Sequence, residues 1–212
     1  MSSNQALLQR IYSGRRAELK RQILGEALAC FLEQGIETTT IEYVRDRAET
    51  SVGAIYHHFK NKDGLVATLY FAALQDQFAK RADALTQAQS LQEGIQAILC
   101  SYIDWVEAYP DFAEFLYAAG FNMRKETLQA ELKQHNLQRN TALLDWLTAQ
   151  SDWHLIEHLP KELMMSLVLG ATENYCRAWL SHKVKTPPSH YKQQFIQAAW
   201  QALCMDIKPC SH

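Results

Sequence analysis

Residues 51–62 read SVGAIYHHFKNK, and the reading of this stretch decides that of the rest of the chain. Ser51 is suited to cap a helix, and Ile55 and Phe59 recur at i, i+4 as one apolar face. Gly53 and Ala54 leave the first turn bare enough to lie against another molecule, while Val52, Tyr56 and His57 point away from the apolar face. A tyrosine and two histidines set between a core face and a pair of lysines suit a surface that meets phosphates and base edges. The stretch predicts the DNA-reading helix of a helix-turn-helix.

The flanks extend that reading. Upstream, Ile23, Ala27, Leu28 and Phe31 share one face of a helix over residues 17–34, with Gly35 as its stop. Thr39-x-x-Glu42 has the form of a capping box and opens a short helix bearing Ile41, Val44 and Ala48. A turn at Glu49-Thr50 leads back to Ser51. Downstream, Asn61 caps a helix over residues 62–84 through Leu65, Leu69 and Leu74, whose Gly64 is a candidate pivot. Further upstream, Leu7, Leu8, Ile11 and Tyr12 predict a short amphipathic leader helix broken at Ser13-Gly14. Arg15, Arg16, Lys20 and Arg21 follow it, as a basic arm for the DNA backbone or minor groove or as a solvated leader.

Helical spacing continues to the C-terminus, with no alternation of useful length for strands, so the fold class is all-α. Ser90-x-x-Glu93 opens a helix that stops before Pro110. Helices over 111–121 and 125–150, a loop over 151–159, and helices over 160–179 and 191–205 complete the chain. This gives an N-terminal three-helix domain with its leader, residues 1–62, and a helical domain, residues 63–212, begun by the connecting helix. In the second, Tyr102, Trp105, Phe115, Phe121, Trp146 and Tyr175 are candidates to line a cavity for a small apolar or aromatic ligand. The competing reading is core and dimer interface. Glu173 and Asn174 face that cavity or solvent.

The formal net charge of the 212 residues is only -2, but it is unevenly spread. Residues 1–62 hold nine Lys and Arg against seven Asp and Glu, and the remainder twelve against sixteen. The sign is that expected if only the N-terminal part approaches a polyanion. Five scattered cysteines, Cys30, Cys100, Cys176, Cys204 and Cys210, read as reduced thiols of a cytoplasmic protein. The tail from Cys204 to His212 lacks the paired spacing of zinc modules, so neither metal nor cofactor is expected. The first ten residues carry no apolar signal core, and no run reaches the roughly 18 apolar residues of a membrane span.

Gly35-Ile36-Glu37-Thr38-Thr39-Thr40-Ile41, then Ala48, Ser51-x-Gly53-Ala54-Ile55-Tyr56-x-His58-Phe59 and Lys62-Asp63-x-Leu65, together resemble the DNA-binding domain of the tetracycline-repressor (TetR) family. The resemblance spans residues 16–70. Beyond residue 85 only the helical layout is similar. It implies a homodimer that sets residues 51–58 in the major groove of a palindromic double-stranded DNA operator, usually as a repressor released by a small molecule. On that pattern Tyr56 and Lys62 contact phosphates, and Thr39 and Thr40 lie where the second helix begins against the backbone. Val52, Gly53 and His57 reach bases, His58 supports the domain or meets a phosphate, and Ile55 and Phe59 are core. Glu49 stands where the family usually has glycine, Arg45 where it has a small residue, and Val52 where a basic or polar residue is common. Val52 therefore suits apolar contact with a thymine methyl.

A two-headed operator calls for a dimer, joined through the helices over 160–179 and 191–205, where Gly170 and Ala171 permit close approach. An enzyme is not expected, since no Gly-rich phosphate loop, nucleophile elbow or metal-spaced His/Asp/Glu set occurs. A helix-turn-helix that packs on protein instead of DNA is the other reading. The basic Arg15 to Arg21 segment and the Lys62 end argue against it.

Overall fold

The computed structural model describes residues 2–120, 122–124 and 126–205. Within them the chain is helical, with no strand: α1 (Ser3–Ile11), α2 (Glu18–Gln34), α3 (Ile41–Arg47), α4 (Val52–Phe59), α5 (Lys62–Leu85), α6 (Leu91–Ala108), α7 (Pro110–Ala119), α8 (Glu126–Thr148), α9 (Lys161–Leu180) and α10 (Lys192–Cys204). Short 3-10 turns at Arg15–Ala17, Asn122–Arg124, Trp153–Leu155 and Pro188–Tyr191 punctuate the joins. The helix ends fall within a few residues of those expected because their signals are local. Gly35 takes φ 86° after α2, Asn61 Oδ1 accepts from Gly64 N at 2.8 Å before α5, and Pro110 is the first residue of α7.

The chain divides into two compact units, one of residues 1–79 with 108–137 and the other of 80–107 with 138–212. The boundary expected at residue 62 falls inside the first unit, since most of α5 clusters there and the chain returns to it at residue 108. Phe31 of α2 stacks on Phe115 of α7 with ring centroids 5.9 Å apart, and Phe112 is fully buried.

The leader is an ordered part of this unit. Ser2 and Gln5 form a reciprocal capping box, and Leu7 and Leu8 are buried. Arg10 donates from Nε and Nη2 to the two oxygens of buried Asp76 at 2.9 and 3.0 Å, and from Nη2 to the Tyr109 hydroxyl at 2.8 Å. That fork ties α1 to α5 and to the start of α7, and it raises the Arg10 pKa. Two heads of the expected basic arm are spent in holding the leader. Arg21 Nη1 donates to the Tyr12 and Gly14 carbonyls at 2.6 and 2.8 Å, and Lys20 Nζ lies 4.0 Å from the Tyr12 ring centroid. Burial pushes the Tyr12 hydroxyl up to about 12. Arg15 and Arg16 stay exposed.

The second unit has an aliphatic core from Leu91, Ile95 and Leu99 of α6, Leu143 and Leu147 of α8, Met164 and Val168 of α9, and Ile196 and Leu203 of α10. Trp146 packs against it so closely that a Cβ on Gly94 would lie 2.2 Å from the indole. The Ser90 cap is met at Glu93 N, at 3.3 Å, while the Glu93 carboxylate accepts from Gln89 N at 2.7 Å. Across the far end of the unit, Glu107 accepts from Ser189 N at 2.6 Å, and Lys192 pairs with Asp104 at 2.5 Å. No helix among the described residues is long and apolar enough to cross a membrane.

Candidate nucleic-acid interface

The site is built from the end of α2, the α3–turn–α4 pair and the start of α5. Its base is Ile41, Val44, Ala48, Ile55 and Phe59, all at 8% exposure or less. Gln22 of α2 donates to the Ala48 carbonyl at 2.9 Å and so closes the C-terminus of α3. Ser51 caps α4, accepting from Ala54 N at 3.1 Å. With Ile55 and Phe59 inward, α4 turns Tyr56, 49% exposed, and His57 outward, together with Ser51 and Gly53 at its first turn. Val52 and His58 are half-buried beside them. A Cβ on Gly53 would meet only Ser51 Oγ, at 3.8 Å, so the bare first turn leaves room for something outside the domain. His58 lies edge-on to His57 at 5.2 Å, and its pKa is lowered, first by desolvation and then by His57 and Lys20.

Two sequence-based assignments need correction. Thr39 does not open α3 at the surface: it is 1% exposed, and its hydroxyl donates to the carbonyls of Gly35 at 2.8 Å and Cys30 at 3.2 Å. The cap is Thr40, exposed, which accepts from Tyr43 N at 3.1 Å. Lys62, expected on a phosphate, instead sends its ammonium inward to the carbonyls of Ile36, Glu37 and Thr39 at 3.0, 2.9 and 3.1 Å. Gly64, expected as a pivot, has a steric reason to be glycine, since a Cβ there would lie 2.0 Å from the Phe59 carbonyl oxygen. Its bare α-carbon lets α5 start directly beneath the end of α4.

Lys60 stands outside the motif's spacing and yet lies on the same exposed end of α4. It is exposed, follows α4 with φ 67°, and donates its N–H to the Tyr56 carbonyl at 2.9 Å. Glu49, in the turn before α4, is also left-handed, with φ 46°. Of the other cations on these helices, Arg47 is engaged by Glu33 at 2.7 Å and Glu26 at 3.4 Å, and Arg45 by Asp46 at 2.5 Å.

The candidate ligand residues are divided between the units: Tyr102, Trp105, Trp146 and Tyr175 belong to the second, and Phe115 to the first. Phe115 is fully buried and stacks on Phe31 in the core of the first unit. Phe121 lies outside the described residues. In the second unit Trp105 is 2% exposed, Tyr102 is half-buried and Trp146 covers Gly94. Tyr175 donates to the Thr186 carbonyl at 3.0 Å and meets Tyr191 and Phe195 at 5.5 and 5.6 Å between centroids. Near it on α9, Thr172 is 1% exposed and its hydroxyl has no partner among the described residues.

A capped, outward-facing helix held by a second helix across a tight turn defines a helix-turn-helix protein, here followed by a larger set of helices. Residues 23–69 match the family described as bacterial regulatory proteins, tetR family. Residues 23–69 thus carry a TetR-family DNA-binding domain, and relatives named as HTH-type transcriptional repressors match the chain in part.

It is 29% identical over 96 residues to the HTH-type transcriptional repressor KstR2 of Rhodococcus jostii, covering 45% of each chain. It is 27% identical over 178 residues to the HTH-type transcriptional regulator BetI of Escherichia coli O157:H7, covering 82% of this chain and 89% of that one. The chain thus spans about half the length of KstR2, and the two align only in part. Among solved structures it is similar to the ketosteroid transcriptional regulator KstR2 of Mycobacterium tuberculosis, with TM-score 0.66, 22% identity and coverage of 92% and 97% of the two chains. A TetR family regulator from Marinobacter aquaeolei VT8 matches with TM-score 0.73 at 16% identity, covering 89% and 97%. These structures share the fold over nearly the whole chain.

Proposed function

We propose that the chain is a cytoplasmic, dimeric, ligand-responsive transcriptional repressor that binds a palindromic operator, and not an enzyme. The observation that carries the reading is α4, anchored by Ile55 and Phe59 and turned outward through Gly53, Tyr56 and His57. Val52, Gly53 and His57 read bases, while Tyr56 and the exposed end of α3 at Thr40 meet the backbone. Two copies are required because one short helix reads too few base pairs, and successive major grooves lie about 34 to 36 Å apart. Gly170 and Ala171 on α9 are exposed, and a Cβ on Gly170 would meet nothing within 4 Å, which suits close approach of a second copy.

The effector is a small apolar or aromatic molecule held in the second unit among residues such as Tyr102, Trp105, Trp146 and Tyr175. The unpartnered hydroxyl of Thr172 supports this reading, since a buried donor without a partner costs stability that a ligand's polar group would return. The test is binding of the chain to duplexes tiling the DNA upstream of its own coding sequence, followed by mass analysis of the protein-bound molecule. Specific binding to one palindrome, with the stoichiometry of a dimer, is expected. Equal affinity for every duplex at all salt concentrations would refute the reading.

A further inference from the structure

We infer that the two lysines at the end of α4 divide the work that the motif gives to one. Lys62 is a positioning residue inside the domain, and Lys60 is the cation that meets the DNA backbone there. This rests on the DNA-binding reading above.

An ammonium has three N–H donors and no acceptor. Lys62 directs its donors to three carbonyls between 2.9 and 3.1 Å, all in the link between α2 and α3. Nothing of its hydrogen-bonding capacity is left for a phosphate, and reaching one would strip three carbonyls of their donor. What the contact achieves is mechanical: it fixes the start of α5 against the link that precedes α3. With Gly64 beneath the Phe59 carbonyl, it sets where α4 ends relative to α3.

Lys60 is placed in the opposite way. Its backbone N–H is bonded to the Tyr56 carbonyl, so it travels with the last turn of α4, the turn that also carries Tyr56 and His57 outward. Its side chain is exposed, and no hydrogen bond or ion pair holds it among the described residues. It also occupies a left-handed conformation, φ 67°, that side chains other than glycine rarely adopt. Such strained residues cluster where binding uses them. A helix lying in a major groove brings its ends close to the flanking phosphates, and Lys60 is a cation at the α4 end that no partner holds among the described residues.

The experiment measures affinity of the full chain for a mixed-sequence duplex as salt is varied, with thermal melts of the same samples. Each phosphate contact contributes about 0.9 to the slope of log affinity against log salt. Lys60→Gln should flatten the slope by about 0.9 per bound subunit, so that between 50 and 200 mM salt it loses about 3.5-fold less affinity than the parent, with an unchanged melting temperature. Lys62→Met should lower the melting temperature by on the order of 5 °C and keep the parental slope. A slope lowered by Lys62→Met, or left unchanged by Lys60→Gln, would overturn the inference. The second result does so even if the Lys62 variant fails to fold. A parent chain with no salt-dependent binding would remove the DNA-binding reading itself, and the inference with it.

Discussion

Replacing Gly64 by alanine tests how α4 is seated. The added Cβ would lie 2.0 Å from the Phe59 carbonyl oxygen and 3.2 Å from its carbon. Carbon–oxygen contacts settle near 3.3 Å, so the start of α5 and the end of α4 must separate by roughly 1 Å. The obstacle is backbone, which no rotamer change relieves. Overpacking of this kind costs about 1 to 3 kcal/mol, and here the upper value applies. Alanine returns about 1 kcal/mol of helix propensity, leaving a net loss of about 2 kcal/mol. In a chain of this size that lowers the melting temperature by about 4 to 8 °C. DNA affinity should fall further than unfolding alone explains, because the displaced element is the recognition helix. Gly53→Ala is the control. Its Cβ meets only Ser51 Oγ at 3.8 Å, so stability should hold or rise slightly while DNA affinity falls. Thermal melts with anisotropy titrations measure both. If the Gly64 variant melts at or above the parent, the close approach of α5 to Phe59 is not a constraint and the reasoning fails.

Glu49→Gly should raise stability by about 0.5 kcal/mol in urea titration, since relief of the left-handed turn at φ 46° exceeds glycine's greater freedom when unfolded. It should also tighten DNA binding by removing an anion next to α4. Arg10→Met should cost about 2 kcal/mol, less than the 3 to 5 kcal/mol of a fully buried pair, because Arg10 is 39% exposed while Asp76 is 4% exposed; hydrogen exchange should show α1 loosened first. The lowered pKa of His58 means that its stabilising contribution is present above the unfolded value of 6.5 and is lost as pH falls through the folded one. His58→Gln should therefore flatten the decline of melting temperature between pH 7.5 and 5.5, and an identical decline in both proteins would show that another group governs it.

The helices and their ends could be read from the chain because what makes them is local. Ser51, Gly35, Asn61 and Pro110 act within four residues of themselves, and Ile55 with Phe59 fixes which face of α4 turns inward. The exposed face of α4 followed from the same periodicity. Thr39 and Thr40 mark where that logic stops: adjacent threonines have the same capacity to cap, and only the packing of Thr39 under the Cys30 carbonyl left the cap to Thr40. Lys62 could be placed at the end of the motif, but its ammonium reaches carbonyls 23 to 26 residues away in sequence, a contact no local pattern encodes. Gly64 read as a pivot because its steric neighbour, the Phe59 carbonyl, appears only when two helices are brought together. Phe115 is farther still in sequence from Phe31, and the stacking of these rings sets in the first unit a residue whose type alone suited a ligand cavity. Backbone hydrogen bonds and side-chain periodicity act over a few residues and are written in the chain. Which polar head or ring is buried depends on what the far ends of the chain bring against it, and the tertiary structure alone decides that.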